Sequence, residues 1–248
     1  MKWTWRRPHP VADGSTPESI VPPSPIAGEI DWGGLRRLAP VSRHYGFDRG
    51  QPVDRRYIEA FLAENAGDIR GRVLEIGDDT YTRRFGGEAV RRRDVLHVRP
   101  GHPQATFVDD LAAGSTLPSD AFDCVILTQT LQLVYDLRGA IRTLHRIVAP
   151  GGSVLATVPG ITQQSADEWA QTWFWSFTRR SARRLFAEAF PDARIEVVAH
   201  GNVLASIAFL EGIAAEELTP EELAHVDPLY ELLITVRACK AEATREWR

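Results

Sequence analysis

Arg72-Val73-Leu74-Glu75-Ile76-Gly77-Asp78-Asp79-Thr80-Tyr81-Thr82-Arg83-Arg84-Phe85-Gly86-Gly87 is the stretch around which the chain is organised. Residues 73–76 form a short β-rich run, too short for a helix and bounded by polar, turn-forming residues. Gly77 follows at once, and then two Asp and Thr80, residue types that accept tight turns and hydrogen-bond nearby backbone. A buried strand that breaks into a small polar loop is where an open α/β sheet places its ligand, at the carboxyl end of the strand. The loop has one glycine where a dinucleotide fingerprint wants three, and its acids would repel a pyrophosphate. They suit a ligand with ribose hydroxyls or a positive charge.

Around this stretch, 248 residues suffice for one large domain, or for a domain with an appendage. With 44% hydrophobic and 25% charged residues the composition is that of a globular protein. A net charge of −4 and a pI near 6.0 give no electrostatic case for nucleic acid. Lysine is confined to Lys2 and Lys240; the preference for arginine reads as a GC-rich genome rather than phosphate binding. Cys124 and Cys239 both sit in apolar, strand-like runs and read as small hydrophobes, not as a metal pair or a disulfide. There is no apolar stretch of membrane-spanning length and no signal-peptide core, so a cytoplasmic protein without membrane contact is expected.

The proline-rich residues 1–27, which include Trp3 and Trp5, read as a flexible or extended arm. Residues 28–52 carry Trp32, Tyr45 and Phe47 and read as an aromatic lid. Val53, Tyr57, Ile58, Phe61 and Leu62 recur at helical spacing over 53–66, with Asp54 as a cap or first-turn charge. Further strands are expected at 94–98, 105–108, 122–128, 153–158, 194–199 and 231–238. Helices are expected at 137–148, 179–190, 203–215 and 216–225, with a terminator and turn at 149–152. Strands alternating with helices give an α/β fold: a doubly wound, mostly parallel, seven-stranded sheet with helices on both faces. The domain is expected over 53–240, with insertions at 159–178 and 201–228 and a short tail at 241–248.

At the strand ends the sequence becomes specific. Val73-Leu74-Glu75-Ile76-Gly77, Asp110-Leu111, Phe122-Asp123-Cys124-Val125-Ile126-Leu127 and Leu144-His145-Arg146-Ile147-Val148-Ala149-Pro150-Gly151-Gly152 resemble, in order and spacing, the motifs of class I S-adenosylmethionine-dependent methyltransferases. The likeness covers roughly residues 57–158 and implies a Rossmann-like fold with S-adenosylmethionine as cofactor. It implies that Glu75 and Gly77 shape the pocket for the methionine end, that Asp110 with Leu111 recognises adenine, and that Thr128 and Gln129 lie beside the sulfonium. Asp78 and Thr80 are further candidates; Asp78 reads equally as a cap, and Gln129 as satisfying helix-terminal backbone. Two departures stand out. The family's Gly-x-Gly-x-Gly loop is Gly77-Asp78-Asp79-Thr80-Tyr81 here, and the second strand ends at Arg99, where the family offers an acid to the ribose. Asp78 or Asp79 is expected to take over that role.

An oxygen acceptor gains from a general base. His44 and His200 are the histidines to name, whereas His145 falls inside a helix pattern as a packing or solvated residue. Tyr45, Trp169 and Trp173 are candidate acceptor contacts, because aromatic faces suit a sugar ring; the two tryptophans read equally as core. The arginines at 91–93, 179–180 and 183–184 read as solvated helix or loop faces. No metal-ligand spacing is present, and no metal is expected. The expectation is O-methylation of a small-molecule, glycan-like or peptide acceptor, with a homo-oligomer open. A methyltransferase-like binding module that has lost catalysis is the alternative. A nicotinamide-dependent oxidoreductase is disfavoured by the absent three-glycine fingerprint and by Arg99.

Overall fold

The computed structural model of the protein describes residues 25–26, 28–165, 167–191 and 194–242. The chain divides after Leu38 into two compact units. In the shorter one, Gly33–Leu35 form a single 3₁₀ turn, with the Asp31 carboxylate accepting from Gly33 N at 2.8 Å. The expected arm lies outside the described residues save for Pro25 and Ile26, and the expected lid segment 28–52 is split by the division. The longer unit begins at Ala39 and holds every strand and α-helix among the described residues.

Its elements run α1 (Val53–Glu64), β1 (Gly71–Ile76), α2 (Thr80–Gly86), β2 (Val90–His97), β3 (Phe107–Val108), β4 (Phe122–Thr128), α3 (Leu137–Ile147), β5 (Val148–Pro159), α4 (Arg179–Ala189), β6 (Arg194–His200), α5 (Val203–Glu211), α6 (Pro220–Ala224) and β7 (Leu233–Cys239). The strands make one seven-stranded sheet in the order β3-β2-β1-β4-β5-β7-β6. Every pair up to β5 is parallel, while β7 runs antiparallel to both β5 and β6. The order turns back between β1 and β4, and a doubly wound sheet opens a crevice at the strand carboxyl ends there.

Alternate residues of each strand feed two cores. Leu74, Val125, Leu127, Val154, Ile234 and Val236 pack with α3 and α4 on one face. Val73, Cys124, Ile126, Leu155 and Leu233 pack with α1 and α5 on the other. Because β1, β4 and β5 are covered on both faces, they read as nearly continuous apolar runs. The α3 helix is N-capped by the Asp136 carboxylate, which accepts from Gly139 N at 2.9 Å. At its far end Lys240 Nζ donates to the carbonyls of His145 and Val148 and pairs with Asp120, placing a cation where the helix dipole is negative.

Several sequence expectations are corrected here. The polar loop after β1 is shorter than read, because α2 begins at Thr80. Residues 91–93 belong to β2 rather than to a helix or loop, although all three arginines are exposed. The expected helix 203–215 stops at Glu211, where Gly212 takes a left-handed φ of +68°. The expected turn 149–152 is a bulge inside β5: the register passes from Phe122↔Val148 to Cys124↔Ser153. Gly152 is required there, since a Cβ would meet three backbone oxygens at 2.9–3.0 Å. Both cysteines are free; Cys124 is buried, and Cys239 is half-buried beside the Ser153 hydroxyl.

Candidate functional site

At the carboxyl end of β1 the chain makes one conformational demand. Gly77 has φ +98°, and nothing lies within 4 Å of where its Cβ would be, so the backbone is open on that side. Asp79, where the family pattern has glycine, has φ −114°, which any residue adopts. The missing glycine is therefore not required by the backbone at that position.

The acids of the loop divide their tasks. Glu75 is 4% exposed, and its two carboxylate oxygens accept from Tyr81 N at 3.1 Å and Thr82 N at 2.7 Å. It thus satisfies two free amides of the α2 N-terminus, as a capping residue would. Burial pushes the Glu75 carboxyl up to about 7, against those hydrogen bonds and with Asp78 adding to the rise. Asp79 is buried and pairs with Arg83 at 2.7 Å and Arg93 at 3.3 Å, while accepting from Gln104 at 3.0 Å. It ties α2 to β2 and to the loop that follows. Asp78 is exposed and keeps its own turn, accepting from Thr80 N at 2.8 Å.

A cavity of about 420 Å³ opens at this end of β1. Glu75, Asp78, Thr80 and Tyr81 line it on one side, Thr128 at the end of β4 and Arg55 on α1 on others. Arg55 has no carboxylate within ion-pair distance among the described residues; it donates to the Tyr81 hydroxyl at 3.3 Å. Phe47 and Arg55 also line a larger cavity of about 760 Å³, so the two adjoin.

The larger cavity gathers residues far apart in sequence. Tyr45 and His44 come from the segment before α1, Gln129 from the end of β4, and Trp169 and Trp173 from the stretch after β5. Residues 39–52 form a fixed wall: Ser42 N donates to Glu211 O, Ala215 N to Gln51 O, and Arg49 pairs with Glu217 at 2.7 Å. Tyr45 packs on Phe209 at 5.9 Å between ring centres. Trp169 stacks under the Arg99 guanidinium, which pairs with Glu168 at 2.7 Å. Gln129 is one of three non-glycine residues with positive φ among the described residues, at +49°, and its backbone amide donates to Thr157 O at 3.0 Å. Backbone held this way beside a cavity is a mark of functional sites.

Three residues on these walls escaped the sequence reading as site residues. Asp54 reads as a cap or first-turn charge, and it does stand in the first turn of α1, yet it is also 8% exposed and lines the larger cavity. Arg55 carries no motif. Gln132 is 2% exposed, and its Nε2 donates to Gln129 O at 2.9 Å. A carbonyl can only accept, so that contact fixes the amide orientation and leaves Gln132 Oε1 as the acceptor, buried without a partner among the described residues. No sequence signal distinguishes any of the three.

Other candidates fall elsewhere. His200 is the last residue of β6 and lines a separate cavity of about 540 Å³, where it stacks on Tyr57 and shares a hydrogen bond with the Thr235 hydroxyl. Leu111 is 5% exposed and belongs to the core. Asp110 is exposed and accepts from Ala112 N at 2.8 Å; neighbouring Asp109 instead takes the Thr116 amide and hydroxyl. Among the described residues no cluster of three or more His, Cys, Asp or Glu could hold a metal, and no helix is long and apolar enough to cross a membrane.

Comparison with known proteins accords with this architecture. Residues 51–190, more than half of the chain, match the model of a family described as a methyltransferase domain. No curated protein matches. Among solved structures, the N-methyltransferase NodS from Bradyrhizobium japonicum, in complex with S-adenosyl-L-homocysteine, is similar at 17% identity and TM-score 0.50, over 78% of this chain and 90% of that one. An S-adenosylmethionine-dependent methyltransferase from Mesorhizobium loti is similar at 16% identity and TM-score 0.50, over 79% and 100%. The [4+2]-cyclase SpnF is similar at 16% identity and TM-score 0.51, over 79% and 85%. At such identities the likeness shows the fold alone. The ordered strand-end motifs, the sheet order and the family match together establish that this chain belongs to the class I S-adenosylmethionine-dependent methyltransferases, whose cofactor is S-adenosylmethionine.

Proposed function

We propose that the protein transfers a methyl group from S-adenosylmethionine to an oxygen of a small or glycan-like acceptor. The observation that carries this reading is the pair of adjoining cavities, one at the β1–α2 loop and one walled by aromatic and polar side chains, that share Phe47 and Arg55. The smaller suits the methionine end of the cofactor. Gly77 leaves its backbone open, Arg55 offers a guanidinium with no carboxylate partner among the described residues, and Asp78 offers an exposed acid for the ammonium. Asp110 is the residue for the adenine amine. Bound there, S-adenosylmethionine supplies an electrophilic methyl carbon on a sulfonium. The protein's own contribution is alignment and exclusion of water.

The larger cavity, at about 760 Å³, falls in the range of small-ligand sites. Trp169, Trp173 and Phe209 give it apolar faces, while Tyr45, Asp54, Ser165 and Asp167 give it hydroxyls and carboxylates. That mixture suits a polyhydroxylated ring. Isothermal titration with S-adenosylmethionine and S-adenosylhomocysteine tests the cofactor half: no binding at millimolar ligand would overturn it. Mass spectrometry for a gain of one methylene on a panel of glycosides tests the acceptor half.

A second reading, a binding module that keeps the fold without transfer, is favoured by Tyr81, whose side chain lines the smaller cavity at a position the family gives to glycine. Turnover on any acceptor excludes it.

A further inference from the structure

Three carboxylates line the larger cavity, and their surroundings differ. The Ser42 hydroxyl holds Asp48 below the usual carboxylate range. The Ser165 hydroxyl and the Trp169 amide do the same for Asp167. Both are thereby poor proton acceptors. Asp54 stands apart: it is buried in the first turn of α1, no side-chain donor among the described residues reaches it, and burial pushes its carboxyl above the usual range against the opposing pull of Arg55. Asp54 lines the larger cavity, and its neighbour Arg55, in the same first turn of α1, lines both. His44 lines the same cavity but is exposed, and His200 lines another.

We propose that Asp54 is the general base of this site, acting on an acceptor hydroxyl held in the larger cavity. Its carboxylate takes the hydroxyl proton as the acceptor oxygen bonds the transferred methyl carbon; the carbon–sulfur bond breaks and its electron pair stays on sulfur, leaving a neutral thioether. A carboxylate whose proton affinity lies above the ordinary one is a better proton acceptor than Asp48 or Asp167, as general-base catalysis asks. Arg55 on α1, Tyr81 on α2 and Tyr45 from the preceding segment feel the Asp54 charge; Arg43, His44, Asp48 and Asp167 line the same cavity, and Glu59 acts on Arg55 and Tyr81. This assignment rests on the reading of the two cavities as cofactor and acceptor sites.

A base beside the reacting methyl must feel the sulfonium charge, and this is measurable without an acceptor. Binding of S-adenosylmethionine and, separately, S-adenosylhomocysteine to the full chain is measured calorimetrically in buffers of different ionisation enthalpy. The sulfonium ligand is expected to release more protons than the neutral thioether. The ratio of the two affinities is expected to rise at least about threefold between about pH 5 and pH 8, an effect lost in Asp54→Asn. Equal proton release for the two ligands, or a difference that survives in Asp54→Asn and vanishes in Glu75→Gln, overturns the assignment. Failure of both ligands to bind overturns the cofactor reading, and the base with it. Should Asp54→Asn not fold, the infrared spectrum of the native chain with isotope-labelled aspartate decides. A protonated carboxyl band that disappears at lower pH with S-adenosylmethionine than with S-adenosylhomocysteine supports Asp54, and loss at the same pH with both ligands overturns it.

Discussion

The Glu75 carboxylate accepts from the Thr82 amide at 2.7 Å and so fastens β1 to the first turn of α2. With the Tyr81 amide at 3.1 Å on its other oxygen, it is occupied by backbone and holds the shape of the β1–α2 loop. Replacing Glu75 by Ala strands two amides at a buried helix end. Urea unfolding is expected to show a loss of about 2–3 kcal/mol, and a loss below about 0.5 kcal/mol would mean that water replaces the carboxylate.

The same residue predicts a pH dependence. Its folded-state value of about 7 lies above the ordinary 4.5, so its stabilising contribution is full below 4.5 and is lost as the pH rises through about 7. The linkage is worth about 3 kcal/mol at most. Unfolding midpoints measured at about pH 5 and pH 8 are expected to converge in Glu75→Gln; native-like dependence in that variant would assign the titration elsewhere.

Asp78 and Asp79, adjacent in sequence, are expected to respond oppositely to the same change. Asp79→Asn weakens the contacts to Arg83 and Arg93 and is expected to cost about 1–2 kcal/mol of stability. Asp78→Asn is expected to leave the melting temperature in place and lower cofactor affinity. Calorimetry and thermal melts on the two variants check this, and the reverse pattern would reassign the ribose or ammonium contact.

Arg55→Met is expected to weaken S-adenosylhomocysteine about tenfold, as loss of a carboxylate contact of about 1.4 kcal/mol. Unchanged affinity would mean that the methionine carboxylate is held by another group.

Asp110→Ala is expected to weaken the cofactor by about 1 kcal/mol, at the low end for a lost hydrogen bond because the side chain is exposed. An unaltered Kd would place adenine recognition elsewhere.

Much of this architecture comes from local pattern. The apolar runs of β1 and β4, the 3.6-residue period of α3 and the order of the strand-end motifs are properties of neighbouring residues. They determine the sheet, the crevice and the family by themselves. Segment boundaries are less legible where contacts between distant parts decide them. The β5 bulge depends on the carbonyls of Phe122 and Asp123 across the sheet, and the wall at residues 39–52 on hydrogen bonds to residues near 211.

The β1–α2 stretch carries both lessons. Its sequence alone determined a strand, a glycine turn and an acidic loop at the crevice, because strand propensity and glycine conformation are local. Only the tertiary structure decided what each acid does. Glu75 is turned to helix amides, Asp79 is taken by Arg83 and Arg93, and Asp78 is left exposed. It likewise put Asp54, a first-turn charge of α1, on a cavity wall and set His200 in a separate cavity. A carboxylate's role depends on which donors and how much water surround it, and those surroundings come from residues that folding brings together.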